Sequence, residues 1–299
     1  GVGADVMTAT TEGGCNVAMG NSALGTNSTG SQNTAIGFYS LLASTTASSN
    51  TAVGFCSLRT NTTGTNNAAV GRESLTKNTT GSSNTAIGIN ALYENTTADN
   101  NTALGYKALE VNTTGAQNTA VGRLAGTAIT TGQANTALGN QAGQGITTGD
   151  NNTTVGSEAG RSNSPFNLTT QDNRIILGNN NVTNSYVKVD WTVTSDERDK
   201  MNFEEVPHGL DFVNQLKPVS FVFKKSRENA TPHGPQKYGF KAQDILALEG
   251  DDNVIIDNEN DEHLKVTSSH LFPVLVKAIQ ELTDQNKKLT SRIEELEKK

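Results

Sequence analysis

A motif that recurs every 17 residues constrains the first half of this chain more than any other feature. The motif reads Asn-x-Ala-h-Gly, where h is apolar, and Thr154 replaces the alanine in the last copy. Ala or Ser follows seven places after each Asn; Leu comes next in six copies, and Gly replaces that Leu in the last three. The nine copies begin at Asn16, Asn33, Asn50, Asn67, Asn84, Asn101, Asn118, Asn135 and Asn152.

A strict period with no insertions predicts identical coils stacked on one another. Seventeen residues are too few for a helix pair, but they suit one turn of a β-solenoid with two short strands and two tight turns. In a strand, Ala52 and Val53 must point to opposite faces. Asn in register can form amide ladders along the stack, and Gly supplies the backbone angles of a sharp corner. We therefore predict a leader at 1–12 and a β-solenoid at 13–160.

The outward h residues would leave apolar surface exposed on a solenoid this thin. Association of several copies around an axis would cover that surface, so we predict a homo-oligomer. The pattern resembles the head repeats of trimeric bacterial adhesins and the NTAxG repeats of phage tail-fibre proteins. The alternative is a disordered Asn/Thr/Gly/Ser linker, but disorder gives no reason for a fixed period with an apolar residue in phase.

Charge and composition exclude several classes of function. The 299 residues carry a net charge of −7 without a basic block, which argues against nucleic acid or an anionic membrane as the partner. No apolar run is long enough to span a bilayer. Cys15, Cys56 and four scattered histidines fit no metal spacing, so we predict no metal and no cofactor.

Charge density rises abruptly at Ser195. The first 194 residues hold 8 basic and 10 acidic side chains, whereas the last 105 hold 15 and 20. This step predicts a domain boundary. Between the repeat and the boundary, we predict a β neck at 161–194 with two strands, "RIILG" and "SYVKVDWTV". Trp191, the only tryptophan, would be a packing anchor there.

The hexapeptide "SDERDK" at 195–200 begins a series of motifs in the charged domain. It is followed by "GLDFVNQLKPVSFVFK", "YGFKAQD" and "HLFPVLVKAIQELTDQNKKL". In this order the four segments resemble the C-terminal intramolecular chaperone domain of endosialidases and other phage tail spikes and fibres. The resemblance covers 195–299 and implies an α+β fold that ends in a coiled coil at 271–299.

The resemblance also implies a reaction. Members of that family trimerise through this domain, help the β-rich fibre to fold, and cut themselves at the signature serine. By carry-over, Ser195 and Lys200 form a Ser–Lys dyad that cleaves the bond between Thr194 and Ser195 once, in cis. A lysine can act as the base only as a neutral amine, a state that burial or a nearby cation such as Arg198 favours. Asp196 and Arg198 would position the loop or stabilise charge.

The hexapeptide taken alone has a simpler interpretation. Ser195 could be the N-cap of a helix, with Asp196 and Glu197 favoured by the helix dipole. The three downstream motifs favour the chaperone domain, and a cap position can also present a nucleophile.

The last segment has a clean heptad pattern. Ile at a, Leu at d and a single Asn at a favour two strands, whereas the solenoid and the family resemblance favour three; we predict a trimer whose register Asn286 fixes. A helix packed only on its own domain is the alternative. Phe272 and Leu275 begin the seam, and its coiled-coil residues are Ile279, Leu282, Asn286, Leu289, Ile293 and Leu296.

Together these features predict a segment of a phage-like tail fibre. The C-terminal domain would assemble and then leave the solenoid, and the mature fibre, a virion component assembled in the host cytoplasm, would contact a host receptor or glycan. Three alternatives remain: a trimeric adhesin on a bacterial surface, a structural fibre with an uncleaved trimerisation cap, and an autoprocessing transcription factor of the myelin regulatory factor type. The last would need a DNA-binding domain and a transmembrane helix, and this sequence shows neither.

Overall fold

The computed structural model divides the chain into two compact units, Gly1–Val182 and Thr183–Lys299. Trp191, the expected packing anchor, lies outside the described residues. The structure describes residues 1–162, 164, 166–188, 193–225, 227–250, 253–259 and 263–298.

The first unit is a β-solenoid of parallel three-residue strands, one above the other in chain order. Each strand pairs in register with the strand of the next coil, as Ala35 does with Ala52. This confirms the predicted fold class. The strands are β1 (Val17–Met19), β2 (Thr34–Ile36), β3 (Thr51–Val53), β4 (Ala68–Val70), β5 (Thr85–Ile87), β6 (Thr102–Leu104), β7 (Thr119–Val121), β8 (Thr136–Leu138), β9 (Thr153–Val155) and β10 (Ile175–Leu177).

Within residues 1–162 each coil contains one strand, so the expectation of two strands per coil is wrong. The rest of each coil bends through residues in the left-handed region, such as Glu73, Leu75 and Ser83. These bends still hydrogen-bond from coil to coil through the backbone: Glu73 N donates to Phe55 O at 2.8 Å. The missing second strand is therefore replaced by stacked turns of identical shape.

Buried asparagines form the predicted ladder. The backbone N–H of Asn67 donates to Oδ1 of Asn50 at 2.9 Å, and Asn67 Nδ2 donates to Gly81 O at 2.8 Å. A second ladder, which the sequence analysis missed, joins side chain to side chain: Asn95 Nδ2 donates to Asn78 Oδ1 at 2.8 Å. Both ladders lie inside the stack, where an unpaired amide would cost about 1–3 kcal/mol.

The core of the solenoid is narrow. Ala52 and Leu58 are fully buried, and their equivalents fill the same places in neighbouring coils. Val53 is only half-buried, so the predicted alternation between Ala and h is confirmed. Most h residues are exposed and form a row that we call the apolar stripe: Met19, Ile36, Val70, Ile87, Leu104 and Leu138.

The replacement of Leu by Gly in the late coils is compensated within the same coil. Leu109 lies in the left-handed region at φ 51°, and its successor Gly126 has φ 56°. Three residues later, the usual ladder asparagine becomes Ile129, which is buried in the core. A Cβ on Gly126 would lie 3.1 Å from Ile129 Cδ1. Ile129 therefore fills the space that the leucine side chain leaves.

The stack extends beyond the predicted repeat at both ends. Residue Val2 bridges to Met19, and Thr11 N donates to Ser28 O at 3.0 Å, so the predicted leader at 1–12 joins the stack. At the other end β10 pairs with β9 at an offset of 22 residues. The strand expected at "RIILG" therefore belongs to the solenoid and not to a separate neck. The strand expected over 185–193 does not form in its described residues, 185–188 and 193.

The second unit is a small α+β domain. Its buried apolar cluster contains Phe212, Ile245, Ile255, Ile256, Leu271 and Val274. In its described residues, two antiparallel strand pairs, β11 with β12 and β13 with β14, accompany three α-helices. The elements are α1 (Leu210–Gln215), β11 (Val219–Lys224), β12 (Pro232–Gly239), α2 (Ala242–Glu249), β13 (Ile256–Asp257), β14 (Lys265–Val266) and α3 (Leu271–Glu297), with 3₁₀ turns at Glu197–Asp199 and Ser268–His270.

The long helix α3 has two different faces. Leu271, Val274 and Ala278 are buried against the domain. The heptad positions a and d lie elsewhere on the helix, and Ile279 and Leu282 are exposed there. The helix therefore packs on its own domain through one face and still leaves the predicted seam uncovered.

Gly71→Ala should destabilise the solenoid by at least about 2 kcal/mol. Gly71 has φ 136°, and an added Cβ would lie 2.6 Å from the carbonyl oxygen of Gly88 in the next coil. Urea unfolding followed by circular dichroism would measure the change. Gly14→Ala is the matched control, since nothing lies within 4 Å of its added Cβ, and it should change stability by no more than about 0.5 kcal/mol. Equal effects of the two substitutions would contradict the stacking argument.

Candidate functional site

The hexapeptide 195–200 folds into a short turn held by its own side chains. Asp196 has extended backbone angles and caps the 3₁₀ turn Glu197–Asp199, because its carboxylate accepts a hydrogen bond from Arg198 N at 2.9 Å. At the other end, Lys200 N donates to Glu197 O at 3.1 Å. The alternative in which Ser195 is the N-cap is therefore wrong, and the serine hydroxyl is not used for capping.

The turn brings Ser195 and Lys200 together. Lys200 Nζ lies 2.7 Å from Ser195 Oγ and donates a hydrogen bond to it. The two residues are five apart in sequence, and the tight 3₁₀ turn is what folds the chain back on itself between them. A hydroxyl this close to an amine can transfer its proton directly once the amine is neutral.

Asp196 and Arg198 form a two-point ion pair beside this contact. Arg198 Nη2 lies 2.6 Å from Asp196 Oδ2, and Arg198 Nε lies 3.0 Å from Oδ1. The guanidinium hydrogen bond, followed by the backbone bond from Arg198, lowers the pKa of Asp196, and the carboxylate in turn raises the pKa of Arg198. The charge of Arg198 is therefore paired with that of Asp196, and this ion pair stiffens the turn. Arg198 is not an unpaired cation that faces Lys200.

The whole hexapeptide is exposed in the single chain, together with Val193 and Thr194. Water therefore reaches both members of the Ser195–Lys200 pair. The hydroxyl and the amine are therefore in contact at a place that is open to water.

The seam residues lie together on α3. Ile279, Leu282, Leu289, Ile293 and Leu296 are all exposed apolar side chains, and Asn286 shares their row. Sequence analysis missed two other residues of this helix, Lys277 and Glu281, which contact the segment that follows the hexapeptide. Lys277 and Glu281 stand at heptad positions that are normally polar. A polar residue at such a position does not indicate, from the sequence, that it binds a distant part of the backbone.

Comparison with known protein families supports the assignment of this region. The model of the family described as chaperone of endosialidase matches residues 195–254. These residues carry a domain of that self-cleaving chaperone family, and the match begins at Ser195 itself. The expected resemblance of 255–299 lies beyond the matched residues. Searches of curated proteins and of solved structures gave no significant match to the chain.

No cluster of three or more His, Cys, Asp or Glu side chains in the part of the chain that the structure describes has the geometry of a metal site. In the same residues, no helix combines the length and the apolar character that crossing a membrane requires.

Arg198→Ala should raise the pKa of Asp196 back towards the ordinary value of about 3.9. The ion pair depresses the folded-state pKa, so its contribution is present above the unfolded value and is lost as the pH falls through the folded one. In the wild-type chain the ion pair should therefore hold the turn of the hexapeptide at neutral pH. A carboxyl NMR titration in the Ser195→Ala background would measure the shift. Arg292→Ala, which removes a similar exposed guanidinium from α3, should leave Asp196 unchanged.

Proposed function

We propose that this chain is a segment of a phage-like tail fibre whose C-terminal domain assembles three copies, assists the folding of the solenoid, and then cuts itself off between Thr194 and Ser195. The observation that carries the proposal is the 2.7 Å contact between Lys200 Nζ and Ser195 Oγ. The contact stands at the first residues of a domain matched to a self-cleaving chaperone family.

The proposed reaction needs only these groups and water. Lys200, as a neutral amine, takes the hydroxyl proton of Ser195, and Oγ attacks the carbonyl carbon of Thr194. The bond from that carbon to the Ser195 nitrogen breaks, Lys200 returns the proton to the leaving nitrogen, and an ester joins Thr194 to Ser195. Water then hydrolyses the ester, which leaves a carboxylate on Thr194 and a free amine on Ser195. One water is consumed, and each chain reacts once.

Association of three copies is supported by apolar surface that the single chain leaves uncovered. The a and d residues of α3 are exposed along its length, with Ile279 at 63% and Leu289 at 60%. The apolar stripe of the solenoid is exposed in the same way, and in two coils Phe38 and Phe55 stack beside it with ring centroids 5.5 Å apart. Continuous rows of exposed apolar side chains normally mark interfaces. A second copy offers the same residues at the same spacing, since the stripe repeats coil by coil.

The contacts within the two units favour an order of folding in which the C-terminal domain forms before the solenoid. Helix α3 is stabilised by contacts close in sequence, which form fast. The solenoid consists of coils that each contact only their neighbours, and such stacks grow from a formed end. Three chains joined at α3 would start their coils at the same place and in the same register.

The mature fibre would act in the virion by contact with a host receptor or glycan. This step is supported by the type of domain and by the regular exposed surface of the solenoid, not by an individual binding residue. A trimeric adhesin of a bacterial surface would present the same solenoid; full-length gene sequence and electron microscopy of the source particle distinguish the two.

Wild-type protein should yield two fragments that meet at Thr194 and Ser195, whereas Ser195→Ala and Lys200→Met should stay whole. The variants lack the nucleophile and the base respectively, so the loss should be complete for the first and at least about 100-fold for the second. Intact mass of the denatured protein would show the cut. Ser185→Ala, another exposed serine near the cut, should cleave normally. A wild-type chain that stays whole would instead identify a permanent trimerisation cap.

Leu282→Asp should turn trimers into single chains and stop cleavage, because three carboxylates would be buried at one layer of the seam. Sedimentation and native mass would give the number of chains. Gln280→Asp introduces the same charge at an exposed place outside the a and d positions and should leave assembly intact. Persistence of the trimer in Leu282→Asp would mean that the seam does not hold the copies together.

A further inference from the structure

Helix α3 binds the backbone of the segment that leads from the hexapeptide to α1. Lys277 and Glu281, one helical turn apart, make these contacts across 71 residues of sequence. We call Lys277 and Glu281 the helix clamp. Neither residue belongs to the Ser195–Lys200 pair or to the a and d seam.

Glu281 caps α1 from another element. Its Oε2 accepts a hydrogen bond from Leu210 N at 2.7 Å, and the N-cap residue Gly209 offers no side chain of its own for this purpose. The carboxylate lies so close to Gly209 that a Cβ there would clash with it. The absence of a side chain at Gly209 is therefore what lets Glu281 reach the helix end.

Lys277 holds the segment at a second point. Its Nζ donates to Val206 O at 2.6 Å and lies 3.8 Å from the Glu205 carboxylate. Only five residues, 201–205, separate Lys200 from Val206. At about 3.5 Å per residue, the fixed point lies within about 20 Å of the lysine of the pair. Residues 201–205 are exposed and contain no helix or strand, so the clamp is the nearest firm attachment downstream of Lys200.

The clamp sits on the turns of α3 that also carry the seam. Ile279 lies between Lys277 and Glu281, and Leu282 follows directly. The side chains of Lys277 and Glu281 face the domain while Ile279 and Leu282 face solvent. Copies that associate through the seam would therefore fix these turns, and through them Val206 and Leu210.

We infer that the helix clamp couples assembly of α3 to self-cleavage: Lys277 and Glu281 are positioning residues that hold the segment after Lys200 so that assembled copies present the Ser195–Lys200 pair in reactive geometry. This inference rests on the proposed self-cleavage. It separates two roles of α3. The a and d residues join the copies, whereas the clamp makes the position of the Ser195–Lys200 pair depend on that assembly.

The test compares cleavage rate with assembly in the full chain. Lys277→Met removes the donor and Glu281→Ala removes the acceptor; both should slow cleavage about 10- to 100-fold, the range expected for misplaced reacting groups. Gly209→Ala should slow it similarly, because the added methyl displaces the Glu281 carboxylate. Lys277→Arg and Glu281→Gln keep a donor and an acceptor and should restore most of the rate.

Matched controls come from the same helix. Lys287→Met and Glu295→Ala remove charges whose ion pairs stay within α3, and both should cleave at the wild-type rate. Sedimentation should show trimers for every variant. In the uncleavable Ser195→Ala background, hydrogen exchange of residues 201–210 should increase in the clamp variants and not in the controls, which a purely global loss of stability would not reproduce.

The outcomes distinguish the two proposals. If wild type cuts while the clamp variants cut equally fast as intact trimers, the clamp has no positioning role and the proposed self-cleavage stands. If the clamp variants lose the trimer as well as the cut, α3 acts only in assembly and the inference is overturned. If wild type does not cut under any condition, the proposed self-cleavage fails, and the positioning role fails with it.

Discussion

The hydrogen bond from the backbone N–H of one repeat asparagine to the side-chain oxygen of the asparagine 17 residues earlier is the interaction on which the solenoid depends. It recurs from Asn33 to Asn152, with N–O distances of 2.9–3.0 Å, and the asparagines that donate these bonds are buried. Each bond satisfies a group that water cannot reach, so a shift by one residue would leave a row of unpaired amides. The fixed period follows from this constraint.

Two positions of each coil share the task of filling the core, so that a large side chain lost at one of them is replaced by a large side chain at the other. Early coils place leucine in the left-handed region, a conformation that costs a non-glycine residue about 1–2 kcal/mol; Leu75 has φ 50°. Late coils use Gly143 there, which removes the strain, and restore the lost volume with Ile146. The second solution gives up a place in the side-chain asparagine ladder. The chain changes from the first arrangement to the second once, between Leu109 and Gly126.

The second unit combines the exposed contact between Ser195 and Lys200 with an exposed seam. The 3₁₀ turn and the Asp196–Arg198 ion pair are local, so the hexapeptide can hold Lys200 against Ser195 before any partner arrives. Water surrounds both side chains in the single chain. Such a pair is suited to a cut that follows assembly, as proposed above. Helix α3 links the two features physically, with one face on the domain and another left open.

The sequence by itself determined the stacking, the alternation of Ala and h, and the asparagine ladder, because each arises from a short pattern repeated in phase. It also pointed to Ser195 and Lys200, though through family resemblance and not through spacing. Only the tertiary structure decided the rest. One strand per coil, the continuation of the stack through β10, and the exchange of Leu109 for Ile129 depend on how turns close in space. Asp196 as the cap, and Glu281 bound to Leu210, depend on contacts that side-chain geometry selects, some of them across 71 residues that no local pattern connects.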